Sequence, residues 1–131
     1  ELDIWHSDAD GLYDVQHHGE PPELRARFHT DAQGRFHFTT IAPTAYPVPT
    51  DGPVGAMLAA TGRHPMRPAH VHFMVSAPGH RRLVTHVFAA GDPYLDSDAV
   101  FGVKDALVRE WARDADGVRA LRYDFALAPL T

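Results

Sequence analysis

Length and composition describe an ordinary small globular protein: 131 residues, 44% hydrophobic and 22% charged, are enough for one domain and not for two. A net charge of −5 without a basic helix argues against a nucleic-acid partner, and no apolar run approaches the roughly 20 residues that span a bilayer. Because the chain has no cysteine, disulfides, zinc-thiolate sites and iron–sulfur clusters are excluded, so any metal must be held by nitrogen and oxygen.

The chain opens with an alternating pattern that is typical of a strand. Leu2 and Ile4 alternate with polar residues, which predicts a strand with one buried face. Since the sequence begins at Glu1, inside this pattern and without an initiator Met, we expect an upstream segment that precedes it. Residues 8–11 are rich in turn formers and predict a turn that ends close to Tyr13.

The next segments predict a hairpin and a loop. Residues 25–29 and 35–39 flank a turn at 30–34, where Gly34 can take a positive φ angle. After the hairpin, prolines punctuate residues 43–53 and predict an irregular loop around a tyrosine.

A short helix and two strands are predicted in the centre of the chain. The helix covers residues 57–61 and ends at Gly62. The strands cover residues 69–76 and 83–89, and the Pro-Gly pair at 78–79 joins them by a turn. These two runs show the clearest alternation of apolar and polar residues in this part of the chain.

The last third completes a β-rich pattern. Residues 96–98 are suited to capping a helical turn, and the type of 103–111 stays open because its periodicity fits more than one structure. Residues 121–127 alternate strictly and predict a final strand. Short strands with dispersed proline and glycine favour an all-β fold, an antiparallel β-sandwich, for the single domain 1–131.

Two histidines in the strand at 69–76 are the strongest candidates for metal ligands. His70 and His72 are separated by one residue, so their side chains must point to the same face of the strand. Val71 and Phe73 then point to the opposite face, where they can pack in a core. A pair of histidines of this kind is, by itself, more often an ordinary polar pair than a metal site.

Two tyrosines, Tyr13 and Tyr46, lie on predicted loops and could add oxygen ligands. A free tyrosine has a pKa near 10, so a phenolate at neutral pH needs a strong adjacent cation such as a trivalent metal. Phenolate oxygen together with imidazole suits ferric iron. The spacing between the tyrosines and the histidines has no local signature, and aromatic packing is the alternative interpretation.

Four segments of the chain resemble the intradiol ring-cleavage dioxygenases. They are WHSDADGLY (5–13), YPVPTDGP (46–53), GRHPMRPAHVHF (62–73) and GDPYLD (91–96). The resemblance extends over nearly the whole chain, and the segments YPVP (46–49) and LDSDAVFGVK (95–104) are most similar to the hydroxyquinol 1,2-dioxygenase branch.

The resemblance implies an iron site and roles for the residues around it. It implies non-haem Fe(3+) held by four ligands: Tyr13, Tyr46, His70 and His72. Tyr46 matches the tyrosine that leaves the metal when substrate binds and then acts as a base. Arg67 matches an arginine whose charge stabilises the reacting substrate, with a surface salt bridge as its alternative interpretation. His86 stands where many members have glutamine, and it either donates a hydrogen bond during the reaction or is a structural histidine.

The resemblance also implies a substrate pocket and the biological setting. The residues that match the walls of an aromatic pocket are Pro47, Val48, Pro49, Val100 and Phe101, with core packing as the alternative for the last two. The implied substrates are a small aromatic diol or triol and O2, and the implied setting is aromatic catabolism in a bacterial cytoplasm. Members of this branch have an N-terminal helical segment that forms a homodimer, and this segment is missing from the sequence.

Three functions remain open at this point. The first is cleavage of hydroxyquinol (benzene-1,2,4-triol), and the second is cleavage of catechol or a chlorocatechol by the same chemistry. The third is a non-catalytic β-sandwich binding module in which His70 and His72 are structural or bind zinc. The other histidines are interpreted as surface or structural residues, and Asp8, Asp10 and Asp31 as turn formers rather than calcium ligands.

Overall fold

Short strands form most of the regular secondary structure in the computed structural model, which describes residues 1–19, 21–113 and 115–130. In those ranges the strands are β1 (Leu2–His6), β2 (Arg25–Phe28), β3 (Tyr46–Pro47), β4 (Met66–Arg67), β5 (His70–Val75), β6 (Leu83–Ala89), β7 (Val108–Arg109), β8 (Ala112–Arg113) and β9 (Arg119–Ala120). One α-helix, α1 (Pro53–Ala60), lies between β3 and β4. Within these ranges, no helix has the length and hydrophobicity that crossing a bilayer requires.

The main sheet has five strands in the order β2-β1-β5-β6-β7. β5 is the central strand and is antiparallel to β1 on one side and to β6 on the other. The register places His72 directly between Trp5 of β1 and His86 of β6. β6 and β7 form a short parallel pairing, while β3–β4 and β8–β9 form two small antiparallel ladders.

One face of the main sheet carries the hydrophobic core. The buried cluster consists of Leu2, Ile4, Val71, Phe73, Val75 and Val87. A second layer of partly buried side chains covers it: Phe28, Phe36, Phe38, Leu83, Leu121, Tyr123, Phe125 and Leu127. Full burial of a side chain of this size contributes about 1.5–3 kcal/mol, so the packing of the two layers holds the sheet in place. This two-layer arrangement confirms the predicted β-sandwich.

The second layer is less regular than the sequence predicted. The segments 35–39 and 121–127 are not paired into strands, although both contribute side chains to the core. Along 121–127 the side chains alternate between half-buried and exposed, as a strand would have them. The alternation therefore predicted the buried face correctly and the hydrogen bonding wrongly. The turn at 30–34 is present, and Gly34 has a φ of +77°.

The helix α1 begins four residues before its predicted start. Pro53 occupies the first turn, where a fixed φ favours the helix and no N–H is needed. Two residues later, position 55 requires a glycine because a Cβ there would lie 2.0 Å from the Thr50 carbonyl oxygen. In the open segment 103–111, the structure has a 3₁₀ turn at Asp105–Leu107 followed by β7.

Among the described residues, three five-residue loops share one hydrogen-bond pattern, and we call them the aspartate loops: 8–12, 31–35 and 98–102. Each begins with an aspartate whose carboxylate accepts the backbone N–H groups two and four residues later. The fourth residue is left-handed in all three, with φ of +84° at Gly11, +77° at Gly34 and +57° at Phe101. The first two loops fit the interpretation of Asp8 and Asp31 as turn formers.

Candidate metal centre

The two histidines of β5 lie on the face of the main sheet opposite the hydrophobic core. Val71 and Phe73 are buried in the core, while the Nε2 atoms of His70 and His72 lie 3.0 Å apart on the other side. The strand thus separates packing from chemistry, as the alternation predicted.

Neighbouring groups fix the orientation of both imidazoles. His70 Nδ1–H donates to the Pro68 carbonyl at 2.7 Å, so Nε2 is the unprotonated nitrogen of this ring and is directed away from the backbone. The His72 ring stacks on Trp5, with ring centroids 4.9 Å apart and planes 5° from parallel. Burial lowers the pKa of His70 to about 3 and that of His72 to about 4. Both rings are therefore neutral at physiological pH, the form that binds a metal.

A loop and a short strand bring the two tyrosines together. Tyr13 follows the aspartate loop 8–12, and Tyr46 lies in β3. The Tyr13 hydroxyl donates to the Tyr46 hydroxyl at 3.0 Å. The Tyr46 hydroxyl is 3.4 Å from His70 Nε2. Gly11 allows this approach because a Cβ there would lie 2.8 Å from the Cβ of Tyr46. Residues far apart in sequence thus bring two oxygens and two nitrogens together.

The separations between successive donor atoms fit a shared metal ion. Atoms bound at about 2.0 Å from one ion, at angles of about 90–120°, lie roughly 2.8–3.5 Å apart, as do the pairs Tyr13–Tyr46, Tyr46–His70 and His70–His72. Burial, with the hydrogen bond to Tyr46, raises the pKa of Tyr13, so this phenol ionises only beside a strong cation. In the described part of the chain no three His, Asp or Glu side chains could hold an ion by themselves, so the tyrosines are needed.

Arg67 lies beside the four donor atoms and is buried. It pairs with Tyr46 across β3 and β4, and its Nη1 donates to the Tyr46 hydroxyl at 3.4 Å and to His70 Nε2 at 3.2 Å. Its Nε and Nη2 donate to the two carboxylate oxygens of Asp98 at 3.1 and 3.4 Å. Arg67 is 7% exposed and Asp98 is 3% exposed, so this pair is not an ordinary surface salt bridge.

His86 faces the two histidines of β5 from the neighbouring strand. Its ring centroid is 5.4 Å from that of His70 and 5.6 Å from that of His72. Its Nε2–H donates to the Gly102 carbonyl at 3.2 Å, and burial lowers its pKa. His86 is thus a half-buried, hydrogen-bonded neighbour of the centre, and its Nε2 is directed at the loop 98–102.

The residues predicted as pocket walls are mostly exposed in the structure. Val48 is half-buried, whereas Pro47 and Pro49 are exposed. Val100 is 48% exposed and Phe101 is 77% exposed, so neither has the core-packing role that was their alternative interpretation.

Two residues beside the centre were not singled out from the sequence. Trp5 stacks on His72, and it could have been found from the alternation of β1, which puts it on the face opposite Ile4. Asp98 binds Arg67, and the only sequence signal was the need of a buried arginine for an anion.

Comparisons with known proteins agree on one kind of enzyme. The family described as Dioxygenase matches residues 1–129. The 6-chlorohydroxyquinol 1,2-dioxygenase of Cupriavidus pinatubonensis is 57% identical, covering 98% of this chain and 47% of its own length. The hydroxyquinol 1,2-dioxygenase of Nocardioides simplex is 48% identical, covering 98% and 48%. A crystal structure of hydroxyquinol 1,2-dioxygenase from Pseudomonas putida DLL-E4 superposes with a TM-score of 0.90 at 44% identity, covering 98% of this chain and 50% of that one. The chain thus spans about half the length of these relatives.

Proposed function

The chain belongs to the intradiol ring-cleavage dioxygenases, and from this premise we propose that residues 1–131 form the catalytic domain of a hydroxyquinol 1,2-dioxygenase. The reaction adds both atoms of O2 to benzene-1,2,4-triol and breaks the carbon–carbon bond between its two adjacent hydroxyl-bearing carbons. The observation that carries the proposal is the convergence of Tyr13, Tyr46, His70 and His72. The names of the most similar relatives favour hydroxyquinol over catechol as substrate.

The proposed cofactor is non-haem Fe(3+), held by these two tyrosines and two histidines. Two phenolates and two neutral imidazoles form a hard, anionic donor set that suits a trivalent ion. When bound, the ferric ion supplies the Lewis acidity that ionises the tyrosines and a chelating diol. The low pKa of His70 and of His72 supports this assignment because neither imidazole carries a positive charge at neutral pH that would oppose metal binding.

Of the two tyrosines that would hold the ion, we assign Tyr46 as the one that would give way to substrate and would act as the base. Its Oη contacts Tyr13, His70 and Arg67, so it lies at the junction of the donor atoms and the buried charge. Tyr46 is half-buried, so part of its side chain is accessible from outside the site. The Tyr46 Oη can take a proton from one substrate hydroxyl.

Arg67 is proposed to stabilise the negative charge of the bound diol. Its guanidinium stays protonated, and its Nη1 is directed at Tyr46 and His70, where the substrate oxygens would lie. In a buried site such a charge acts more strongly than in water. The proposed walls of the pocket for the substrate ring are Pro47, Val48, Pro49, Val100 and Phe101. His86 is proposed to hold the loop 98–102 in place through its hydrogen bond to the Gly102 carbonyl.

A visible absorption spectrum tests the proposal. The iron-loaded protein should show a tyrosinate-to-iron charge-transfer band, and hydroxyquinol added without oxygen should shift the band to longer wavelength. Admission of air should then consume about one O2 for each triol. A protein that stays colourless after iron loading would contradict the proposal and favour the non-catalytic binding module.

The partners and location are proposed from the same family membership. We propose a homodimer formed through a region outside residues 1–131 and a cytoplasmic location. Measurement of the mass of the native protein in solution tests the first of these.

A further inference from the structure

Asp98 is a buried carboxylate that joins the candidate metal centre to the loop beside it. Its oxygens accept from Arg67 Nε at 3.1 Å and Nη2 at 3.4 Å, and from the backbone N–H groups of Val100 at 3.3 Å and Gly102 at 2.8 Å. Burial opposes the ionisation of Asp98, but the Arg67 guanidinium and the backbone N–H groups outweigh it and lower its pKa. The carboxylate is therefore charged and fully hydrogen-bonded.

The geometry of this pair sets the direction of the guanidinium. Because Asp98 binds the edge formed by Nε and Nη2, the third nitrogen, Nη1, is left to face Tyr46 and His70. A guanidinium is planar, so holding one edge fixes where the remaining nitrogen points.

Comparison of the aspartate loops shows what is different about the loop 98–102. In the loop 31–35 the carboxylate of Asp31 also binds an arginine, but this is Arg35 of the same loop and both side chains are exposed. In the loop 98–102 the arginine comes from β4 and is buried. The fourth residue is Phe101 instead of glycine, although a left-handed backbone costs a residue with a side chain about 1 kcal/mol or more. Backbone strain of this kind is typical of functional sites.

We propose that Asp98 is a positioning residue that holds the Arg67 guanidinium in the one orientation in which Nη1 faces the reacting oxygens. The inference rests on the proposed function and goes beyond it, since Asp98 contacts none of the four proposed iron ligands in the described structure. Its effect on the reaction passes through Arg67.

Asp98→Asn and its matched control, Asp31→Asn, test the role in the iron-loaded protein. Both changes remove one charge from the same loop type, and only the first affects Arg67. We expect Asp98→Asn to keep its iron and to lose about 10²-fold in kcat, since a displacement of about 1 Å can cost that much. The charge-transfer band should also shift, because Arg67 lies next to the Tyr46 oxygen. Asp31→Asn should match the wild type in both measurements.

A double-mutant cycle separates positioning from a general loss of stability. If Asp98 acts through Arg67, Asp98→Asn should have no further effect on kcat in an Arg67→Met background. Should Asp98→Asn fail to fold, Gly102→Ala replaces it. The added Cβ would lie 3.0 Å from Asp98 Oδ2, 3.1 Å from Arg67 Nη2 and 3.1 Å from His86 Nε2, while the charges of Asp98 and Arg67 remain. We expect it to lower kcat about tenfold. Gly52→Ala, with nothing within 4 Å of its Cβ, is the control.

The outcomes distinguish this inference from the proposed function. Wild-type protein that binds no iron and cleaves no triol would overturn both. An active wild type with unchanged kcat in Asp98→Asn, or with effects of Asp98→Asn and Arg67→Met that multiply, would overturn the role of Asp98 alone. In the replacement test, an unchanged kcat and band in Gly102→Ala would do the same.

Discussion

At the scale of single residues, the two tyrosines of the candidate metal centre differ in what surrounds them. The Tyr13 hydroxyl hydrogen-bonds to Tyr46, and burial raises its pKa. The Tyr46 hydroxyl contacts Tyr13, His70 and Arg67. Tyr13 thus has one hydrogen-bond partner, Tyr46, among these groups. Tyr46 contacts all three, so its hydroxyl lies where it can exchange a proton with a neighbouring group.

The two tyrosines should therefore respond differently to loss of the hydroxyl. We expect Tyr13→Phe to lose iron, because it removes one of the two proposed phenolate ligands and leaves Tyr46 as the remaining source of anionic oxygen. Tyr46→Phe should retain part of the iron and lose turnover by at least about 10²-fold, since it removes the proposed base. Iron content and kcat of the purified variants measure both effects.

Tyr123→Phe is a suitable control, because its hydroxyl donates to the Ala106 carbonyl, and neither residue is part of the candidate metal centre. It should retain the iron and turnover of the wild type. Full activity of Tyr46→Phe would contradict the role assigned to Tyr46.

The sequence predicted some residues of the site from local geometry and others from the family resemblance, and it missed one. His70 and His72 could be paired from local geometry, because the alternation of a strand fixes which side chains share a face. Tyr13 and Tyr46 came only from the family resemblance, since their approach depends on loops that meet in the folded chain. Asp98 was not found, because its partner Arg67 is 31 residues away and no local pattern joins them.

At the scale of elements, the longer strands of the main sheet were predicted well, whereas the second layer and the start of the helix were predicted poorly. β5 and β6 fall within or on the predicted ranges, because both segments are rich in strand-forming residues and each strand has partners on both sides. The segment 121–127 has equally good alternation but no ladder partner. The start of α1 was missed because Pro53 and Gly55 suggest a loop, whereas here one starts the helix and the other packs against Thr50.

The aspartate loop 8–12 offers a test of how an element positions a ligand. Gly11→Ala and Gly34→Ala replace the same left-handed position of two equivalent loops, so both carry a backbone cost of about 1 kcal/mol. Only at Gly11 would the new Cβ meet Tyr46, at 2.8 Å; at Gly34 nothing lies within 4 Å. We expect both variants to lose similar backbone stability and only Gly11→Ala to lose iron affinity.

The measurements are thermal unfolding of the iron-free variants and iron binding followed by absorbance. Equal iron binding by the two variants would contradict the idea that Gly11 is required for the position of Tyr46.

At the scale of the whole molecule, buried histidines should make the iron-free protein sensitive to acid. Burial lowers the pKa of His6 and that of His70, the latter to about 3, while an unfolded histidine titrates near 6.5. Below about pH 6.5 the unfolded chain therefore binds protons that the folded chain does not, so the free energy of unfolding falls as the pH falls. Each such histidine contributes a slope of up to about 1.4 kcal/mol per pH unit.

Urea unfolding of the iron-free protein at pH 7.5, 6.5 and 5.5 measures this slope. We expect little change between the first two values and a marked loss of stability between the last two. A stability that is constant down to pH 5.5 would show that the buried histidines protonate without unfolding.

The central position of β5 restricts how this protein can evolve. One face of the strand is occupied by core side chains and the other by candidate ligands, and both long edges are paired. A slip of one residue in the pairing of β5 would exchange apolar side chains for imidazoles and so would harm stability and chemistry together. A substitution in β5 would affect either the core or the candidate ligands. The segments 47–49 and 100–101 are mostly exposed and do not lie between the core and the candidate ligands. New substrate preferences should therefore arise by change in those segments, while β5 stays as it is.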